Sequence, residues 1–201
     1  MLNKMSEKRL AHTIGVEQEG VKLAEIFGCG AEIAEKIRTA ARLHDLTKEL
    51  DRESQPEICA RYNISLSEDD MRAEKGLHAK TGAYIARHEY GADDVIFDAI
   101  YNHTYGAPYD KFDIVGKIIY LADYIEPGRD FQDCLDVRGY FYESLGSARS
   151  FEERIKVLDE AILYSLNKTL AALIADGVYI HESTVRSRNS FIVRGELVSK
   201  V

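Results

Sequence analysis

Apolar residues recur along most of the chain at spacings of three and four residues, the period of an α-helix with one buried side. In the stretch 31–45 this period is kept by five residues, at i, i+4, i+7, i+8 and i+11: Ile33, Ile37, Ala40, Ala41 and His44. The alternation of apolar and polar residues that would indicate strands is nearly absent. The pattern therefore predicts an all-α protein, a single-domain bundle of roughly eight to ten helices over residues 1–201.

Capping residues and helix-breaking residues divide this pattern into separate helices. Ser6, Asp93, Asp113 and Ser150 stand where a helix N-cap is expected, and Ser150 begins a capping box. The predicted helices span about 7–27, 31–45, 56–62, 77–90, 94–101, 114–125 and 151–175, with a short polar helix after residue 67 and a last one from 184 through 188.

Composition and charge exclude several classes of function. The net charge is −8, from 26 basic and 34 acidic residues, which argues against a broad nucleic-acid surface but not against a small phosphorylated substrate. The three cysteines, Cys29, Cys59 and Cys134, form no CxxC zinc pattern and indicate no disulfide framework. No signal peptide is visible and no apolar run approaches the ~20 residues of a membrane span, so we expect a cytoplasmic protein with no nucleic-acid or membrane partner.

Four of the six histidines fall on or beside the apolar side of a predicted helix, and two aspartates do the same. These residues are His12, His44, His78, His103, Asp45 and Asp123. For any one of them alone, a hydrogen-bonded residue of the core is the more common outcome. Six metal-ligating side chains on separate helices of one small domain indicate a dinuclear metal site, in which one carboxylate bridges two ions. His88 and His181 do not join this set, and we expect them to be structural or surface residues.

The order of these six residues along the chain resembles the HD superfamily of metal-dependent phosphohydrolases. Four segments narrow the resemblance to its YqeK-type branch, the bacterial symmetrical diadenosine tetraphosphate hydrolases: RLAHTIGV at 9–16, HDLTK at 44–48, AIYNHT at 99–104 and ADYIEPGR at 122–129. The resemblance covers roughly the whole chain and ends at Arg188-Asn189. One departure concerns only a local turn: Ser183 stands where the branch has a proline before the threonine.

The resemblance implies a metal core over about residues 8–130, with C-terminal helices of about 131–201 packed on it. One ion would be held by four residues: His12, His44, Asp45 and Asp123. Asp45 would bridge to a second ion, which His78 and His103 would reach. The cofactor would be one or two divalent or trivalent transition-metal ions. The family suggests iron, although the ligand types also suit manganese, zinc or nickel.

The resemblance further implies that a metal-activated water cleaves diadenosine tetraphosphate, a dinucleoside polyphosphate, into two molecules of ADP. Asp45 and Lys48 would be the catalytic residues, with Lys48 steadying the phosphates or the departing charge. The substrate would be bound by five residues: His12, Gly15, His78, His103 and Arg129.

Three of these positions have structural alternatives. The alternative for Lys48 is a solvated lysine at a helix end. The alternative for Gly15 is close packing between helices. Arg129 is suited to clamping a phosphate, and its alternative is a surface ion pair with Asp130 or Asp133. The adenine pocket is not visible in the sequence; two tyrosines in the loop after residue 103 are candidates for stacking: Tyr105 and Tyr109.

Other functions stay open at this point. One is an HD phosphohydrolase that acts on mononucleotides or signalling nucleotides, against which the segment 126–129 argues. Another is a nucleotide-binding regulator without turnover, which the complete ligand set and Lys48 disfavour. A di-iron oxygenase on the same scaffold is more distant. The twelve tyrosines either cover a homodimer interface or fill the core.

Overall fold

In a computed structural model of the protein, which describes residues 5–51 and 53–198, the chain forms ten α-helices and no strand within those ranges. The helices are α1 Glu7–Ile26, α2 Ala31–Leu43, α3 Ser54–Arg61, α4 Glu68–Arg72, α5 Leu77–Tyr90, α6 Asp94–Asn102, α7 Ile114–Ile125, α8 Gln132–Ser147, α9 Phe151–Ala175 and α10 Glu182–Val198. Single turns of 3₁₀-helix lie at Glu74–Gly76 and Tyr109–Lys111. The all-α class predicted from the sequence is confirmed.

Most helix boundaries agree with the sequence because the capping residues stand where the pattern placed them. Ser6, Asp93, Asp113 and Ser150 are the N-caps of α1, α6, α7 and α9, and each side chain accepts a hydrogen bond from a backbone N–H of the following turn. α5 ends at Gly91, whose φ of 70° is a left-handed conformation that glycine adopts at little cost.

α2 is shorter than predicted. Its periodic pattern runs to about Asp45, but the helix ends at Leu43. The chain then continues to Leu50 as a series of tight turns, each closed by a hydrogen bond from an N–H to the carbonyl three residues earlier. This difference places the His44-Asp45 pair in turns rather than on a regular helical face.

The C-terminal part contains two helices that the pattern did not define correctly. No helix was assigned to 132–147, where α8 buries only three side chains and therefore has a weak apolar stripe: Cys134, Val137 and Phe141. The last helix was predicted from Thr184 to Arg188, but α10 begins at Glu182 and continues to Val198. Phe191 is buried in the main hydrophobic cluster, which explains why the helix extends beyond Arg188.

α7 is the central helix of the bundle. It contacts α1, α2 and α6 on one side and α8 and α9 on the other, and α10 packs against α9. Five of its residues are completely buried: Ile118, Ile119, Leu121, Ala122 and Ile125. No helix of the described residues combines the length and apolar character that a bilayer span requires. The arrangement brings the inner faces of α1, α2, α5, α6 and α7 together around one small volume.

Candidate metal centre and its cavity

His44 and Asp45 both point into this volume because α2 ends just before them. In a regular α-helix, adjacent side chains do not face the same site. The turns after Leu43 instead bring His44 Nε2 to 3.3 Å from Asp45 Oδ2. Thr47 anchors these turns, since its hydroxyl donates a hydrogen bond to the backbone carbonyl of His78 at 3.0 Å. A tertiary contact therefore fixes the direction of the pair.

Three histidine rings are oriented by their own backbone. In His44, His78 and His103, the Nδ1 atom lies 2.7, 2.8 and 2.7 Å from the carbonyl oxygen three residues earlier. A carbonyl oxygen only accepts hydrogen bonds, so Nδ1 carries a proton and Nε2 is the nitrogen that faces the cluster. The Nε2 atoms of His78 and His103 lie 3.3 and 3.6 Å from Asp45 Oδ1. The carboxylate of Asp45 is therefore surrounded by imidazole nitrogens.

Asp123, at the end of α7, and His12, on α1, extend the cluster. His12 Nε2 lies 3.0 Å from Asp123 Oδ1 and 3.6 Å from Asp45 Oδ2, and His44 Nε2 lies 4.0 Å from Asp123 Oδ1. The ligand atoms of two groups lie within 4.8 Å of one another: His12, His44 and Asp123, and His44, Asp45 and His103. The structure thus brings together all six residues that the sequence singled out, with His78 beside the second group.

Several ligand atoms of this cluster have no protein partner. Nε2 of His12, Nε2 of His44 and Oδ1 of Asp45 are buried and form no hydrogen bond within the part of the chain that is described. An unsatisfied buried polar atom costs about 1–3 kcal/mol. Unprotonated imidazole nitrogen and carboxylate oxygen are ligands of first-row metal ions. The residues therefore fit a metal ion, which would satisfy these atoms together.

The charge states of the cluster suit the same role. Burial raises the pKa of Asp45, but the neighbouring imidazoles outweigh this effect and hold the pKa well below its usual range. Burial also raises the pKa of Asp123. The guanidinium of Arg129 has the largest effect in the other direction, and the pKa is again held well below its usual range. Burial lowers the pKa of His78 to about 4. At neutral pH the carboxylates are thus charged and the His78 ring is a neutral donor of its lone pair.

A cavity of about 700 Å³ opens over the cluster. Four residues of the cluster line it: His12, Asp45, His103 and Asp123. Despite the acidic balance of the whole chain, four basic side chains also line it: Lys8, Arg9, Lys48 and Arg129. Its wall includes two exposed apolar residues, Ile14 with 45% and Phe131 with 67% of its surface exposed. The N–H groups of these four basic side chains can donate hydrogen bonds to an anionic ligand.

Two carboxylates at the cavity, those of Asp45 and Asp123, are each paired with an arginine. Arg129 donates to Asp123 Oδ1 at 2.5 Å, so its ion pair is with a residue of the cluster and not with the acidic residues that follow it in the sequence. The guanidinium of Arg9 forms an ion pair with Asp45 Oδ2. Each guanidinium has five N–H groups, so pairing with one carboxylate leaves donors for a phosphate.

Lys48 lies beside His78 of the cluster. Its Nζ is 3.1 Å from Nε2 of His78, and the hydroxyl of Thr104 is 3.2 Å from Nε2 of both His78 and His103. The residue is solvent-accessible, but protein atoms crowd the ammonium group, and this loss of hydration lowers the pKa of Lys48. Lys48 therefore faces both the cluster and the cavity.

Gly15 lines the cavity, but a protein group fills the space beside it. A Cβ at this position would lie 2.3 Å from Oε2 of Glu126. The missing side chain of Gly15 thus accommodates a buried carboxylate, which agrees with the close-packing alternative, and its contact with a phosphate or ribose stays a prediction.

The two tyrosines proposed for stacking on adenine do not line this cavity. Tyr105 stacks on the ring of His181 at 4.0 Å between centroids, and Tyr109 donates a hydrogen bond to Asp159 at 2.9 Å. Both rings are thus engaged elsewhere in the bundle. His181 is buried and His88 is an exposed residue that stacks on a neighbouring tyrosine, in agreement with the structural or surface roles predicted for them.

Some residues at the cluster were not identified from the sequence. Arg9 lies one helical turn before His12, a spacing that places both on the same face of α1. Glu126 accepts a hydrogen bond from Nδ1 of His12 at 3.1 Å. Nothing in the periodicity indicates this contact, because Glu126 follows the last residue of α7 and its direction depends on the turn after it.

Comparison with known proteins is consistent with this arrangement. Residues 9–128, more than half of the chain, match the HD domain family model. The chain is 39% identical over 136 residues to "Bis(5'-nucleosyl)-tetraphosphatase, symmetrical" of Bacillus subtilis (strain 168), covering 67% of this chain and 70% of that protein. It is 32% identical over 190 residues to the protein of the same name from Halalkalibacterium halodurans, covering 94% and 91%.

A solved structure extends the similarity to the fold. It is the crystal structure of a predicted HD superfamily hydrolase involved in NAD metabolism from Clostridium acetobutylicum. The two structures superpose with a TM-score of 0.82 at 34% sequence identity, covering 96% of this chain and 93% of that one. These comparisons confirm the resemblance drawn from the motifs. The chain belongs to the HD domain family and, within it, to the family of the symmetrical bis(5'-nucleosyl)-tetraphosphatases.

Proposed function

We propose that this protein hydrolyses diadenosine tetraphosphate symmetrically and releases two molecules of ADP. The observation that carries the proposal is the coincidence, in one cavity, of a histidine–aspartate cluster with unpaired ligand atoms and four basic side chains. Both features fit a chain of four phosphates. The phosphates need cations along their length, and the bond to be broken needs a polarising centre. Relatives that align with most of this chain are named for this reaction.

Membership of the HD domain family implies a divalent metal ion. One ion would be held by four residues: His12, His44, Asp45 and Asp123. Asp45 would bridge to a second ion, reached by His78 and His103, and iron is the metal we propose among those that imidazole and carboxylate accept. When bound, the metal supplies Lewis-acid activation of water and phosphate near neutral pH.

The basic residues would bind the phosphates around this centre. Arg9 and Arg129 hold Asp45 and Asp123 in place and have N–H groups left to donate to phosphate oxygens. Lys48 would donate from Nζ to the phosphate that departs with ADP, and so offset the charge that develops there. Because these groups are already oriented by their carboxylate and imidazole partners, little reorganisation is needed when the substrate enters.

The apolar wall of the cavity would receive a nucleobase. Ile14 and Phe131 are exposed, and both lie at the cavity rather than on a remote surface. Stacking of a base on an aromatic side chain contributes about 1–3 kcal/mol. Phe131 replaces Tyr105 and Tyr109 as the candidate for contacting adenine.

The reaction can be tested with purified, iron-loaded protein and diadenosine tetraphosphate under anaerobic conditions. The nucleotide products are separated by chromatography, and Asp45→Ala serves as the inactive control. We expect ADP as the sole product. ATP together with AMP would contradict the symmetrical cut, and binding without cleavage would favour a regulatory protein. In a separate aerobic incubation, oxygen consumption without cleavage of a phosphate bond would instead identify an oxygenase.

A further inference from the structure

Glu126 is a carboxylate that the proposed reaction has not used. It directly follows α7, where the backbone turns to an extended conformation with φ −54° and ψ 146°. Although only 3% of its surface is exposed, no lysine or arginine side chain forms an ion pair with its carboxylate among the described residues. Burial of a carboxylate is costly unless its oxygens accept hydrogen bonds. The partners that it does have are therefore informative.

The two oxygens of Glu126 have different partners. Oε1 lies 3.1 Å from Nδ1 of His12, a residue 114 positions away in the sequence. Oε2 accepts a hydrogen bond from the backbone N–H of Gly128 at 2.6 Å. One oxygen thus fixes the carboxylate to its own turn, while the other reaches across to α1 and holds a ring of the metal cluster.

The space around this carboxylate is kept free by glycine. A Cβ at Gly15 would lie 2.3 Å from Oε2, and a Cβ at Gly128 would lie 2.9 Å from the same atom. Real Cβ atoms essentially never approach another atom so closely. Any larger residue at either position would displace the carboxylate. The two glycines come from α1 and from the turn after α7, so both sides of the contact are shaped for it.

The turn itself is held by α8. The guanidinium of Arg138 donates hydrogen bonds to the carbonyl of Ile125 at 2.7 Å, to the carbonyl of Glu126, and to the carbonyl of Arg129 at 2.8 Å. Carbonyl groups at the end of a helix lack partners within the helix. Here one side chain binds two carbonyls at the end of α7 and a third in the turn that follows. Glu126 is therefore supported from the backbone as well as through its side chain.

His12 differs from the other three histidines of the cluster in how its ring is oriented. Those three donate from Nδ1 to a carbonyl of their own segment, so their direction follows from local structure. His12 has a carboxylate partner from a distant part of the chain. A carboxylate acceptor fixes the Nδ1–H tautomer and strengthens electron donation from Nε2 to a cation.

We propose that Glu126 is a positioning residue for His12, which orients its imidazole so that Nε2 faces the metal cluster with a free lone pair. The proposal rests on the proposed function only in taking His12 as a metal ligand. It does not require that diadenosine tetraphosphate is the substrate. The contribution of Glu126 is therefore a change in the affinity for the metal, and turnover changes as a consequence.

The test measures metal binding without substrate. Metal-free protein is titrated with Mn²⁺ in a calorimeter for the unchanged chain, Glu126→Ala and Glu126→Gln. We expect Glu126→Ala to bind Mn²⁺ about 10–100-fold more weakly, the usual effect of removing a partner of a metal ligand. Glu126→Gln keeps one acceptor oxygen but not two, so its affinity should lie between those of the other proteins.

A second measurement reports on the ring directly. The ¹⁵N chemical shifts of His12 in the metal-free protein distinguish the Nδ1–H tautomer from the Nε2–H tautomer. We expect Nδ1–H in the unchanged protein and an increased Nε2–H population in Glu126→Ala, an effect that general destabilisation would not produce. Glu19→Gln is the matched control. Glu19, which lies on α1, is a buried carboxylate like Glu126, but it accepts its hydrogen bond from Tyr142.

The outcomes separate this proposal from the proposed function. Glu19→Gln should leave both Mn²⁺ affinity and the His12 tautomer unchanged. Unchanged affinity and tautomer in folded Glu126→Ala and Glu126→Gln would overturn the positioning role. A chain that binds Mn²⁺ in a Glu126-dependent way but does not cleave diadenosine tetraphosphate would retain the positioning role and reject the substrate.

Discussion

Replacing Gly15 by alanine perturbs the His12–Glu126 contact without removing either partner. The new Cβ would start 2.3 Å from Glu126 Oε2, so the carboxylate has to retreat by about 1 Å to reach van der Waals contact. Its hydrogen bond to Nδ1 of His12 is already 3.1 Å long. A shift of this size takes it beyond the range of a hydrogen bond, unless the shorter bond to Gly128 is lost instead.

The expected change in the free energy of unfolding follows from two opposing contributions. Alanine favours a helix interior over glycine by about 1 kcal/mol, which stabilises the variant. Loss of one hydrogen bond to a buried carboxylate costs about 1.5–3 kcal/mol. The Gly15→Ala protein should therefore be about 0.5–2 kcal/mol less stable when metal-free. Because the ring of His12 is then no longer held in place, Mn²⁺ binding should also weaken by about tenfold or more.

Urea unfolding in the presence of a chelator measures the first effect, and calorimetric Mn²⁺ titration of the folded protein measures the second. Two glycines provide controls. Gly20→Ala, also in α1, places a Cβ 3.0 Å from Ile37 and should cost stability through overpacking without weakening the metal. Gly139→Ala in α8 meets nothing within 4 Å and should be stabilising. Gly15→Ala protein that binds Mn²⁺ as tightly as the unchanged chain would refute the reasoning.

Three further substitutions test the cluster and the cavity. Asp45→Ala should lose metal and ADP release together, because the only carboxylate between the two proposed ions is gone; full activity in this variant would contradict the bridging role. His103→Ala should loosen one ion, as metal analysis after dialysis would show, and sharply reduce turnover while the circular dichroism spectrum persists. Phe131→Ala should raise the KM for diadenosine tetraphosphate about tenfold through lost stacking. Inhibition by inorganic tetraphosphate should stay unchanged in Phe131→Ala, and Val193→Ala, another exposed apolar residue, should alter neither quantity.

Much of the fold could be predicted because its helices carry strong local signals. The N-caps of α1, α6, α7 and α9 and the apolar stripe of α7 are properties of short segments, and the structure reproduces them. α8 has no such stripe, since only three of its sixteen residues are buried. Its position depends instead on long-range contacts, including the hydrogen bonds of Arg138 to the turn after α7. A period of 3.6 residues cannot reveal contacts of that kind.

In the cluster of metal-ligating residues, too, some features follow from local sequence and others depend on contacts with distant parts of the chain. The spacing on single helices correctly placed His12 and Asp123 towards the core. It did not reveal how His44 and Asp45 face the same volume, because this depends on the turns that Thr47 anchors. The partner of Gly15 was missed for a related reason: the sequence shows that space is needed, but not which side chain from another helix occupies it.

Asp70 lies away from the metal cluster and connects three helices. It is almost completely buried, and its Oδ2 accepts hydrogen bonds from Lys80 Nζ at 2.6 Å and from the backbone and hydroxyl of Ser67 at 2.8 Å. Its Oδ1 lies 3.2 Å from Nε2 of His181, at the start of α10. Burial opposes ionisation, but these donors outweigh it and lower the pKa of Asp70 to about 2.

The sign of the resulting pH dependence follows from this shift. An unfolded aspartate has a pKa of about 3.9, so Asp70 stabilises the fold fully above about pH 4 and loses this contribution as the pH falls towards 2. Asp70→Asn should lower stability at pH 6 by about 3 kcal/mol, because it leaves the charge of Lys80 without its carboxylate. The difference between the two proteins should shrink by about 1 kcal/mol between pH 5 and pH 3. Urea unfolding of both metal-free proteins measures it, and a difference that stayed constant or grew on acidification would show that Asp70 is not the group that titrates.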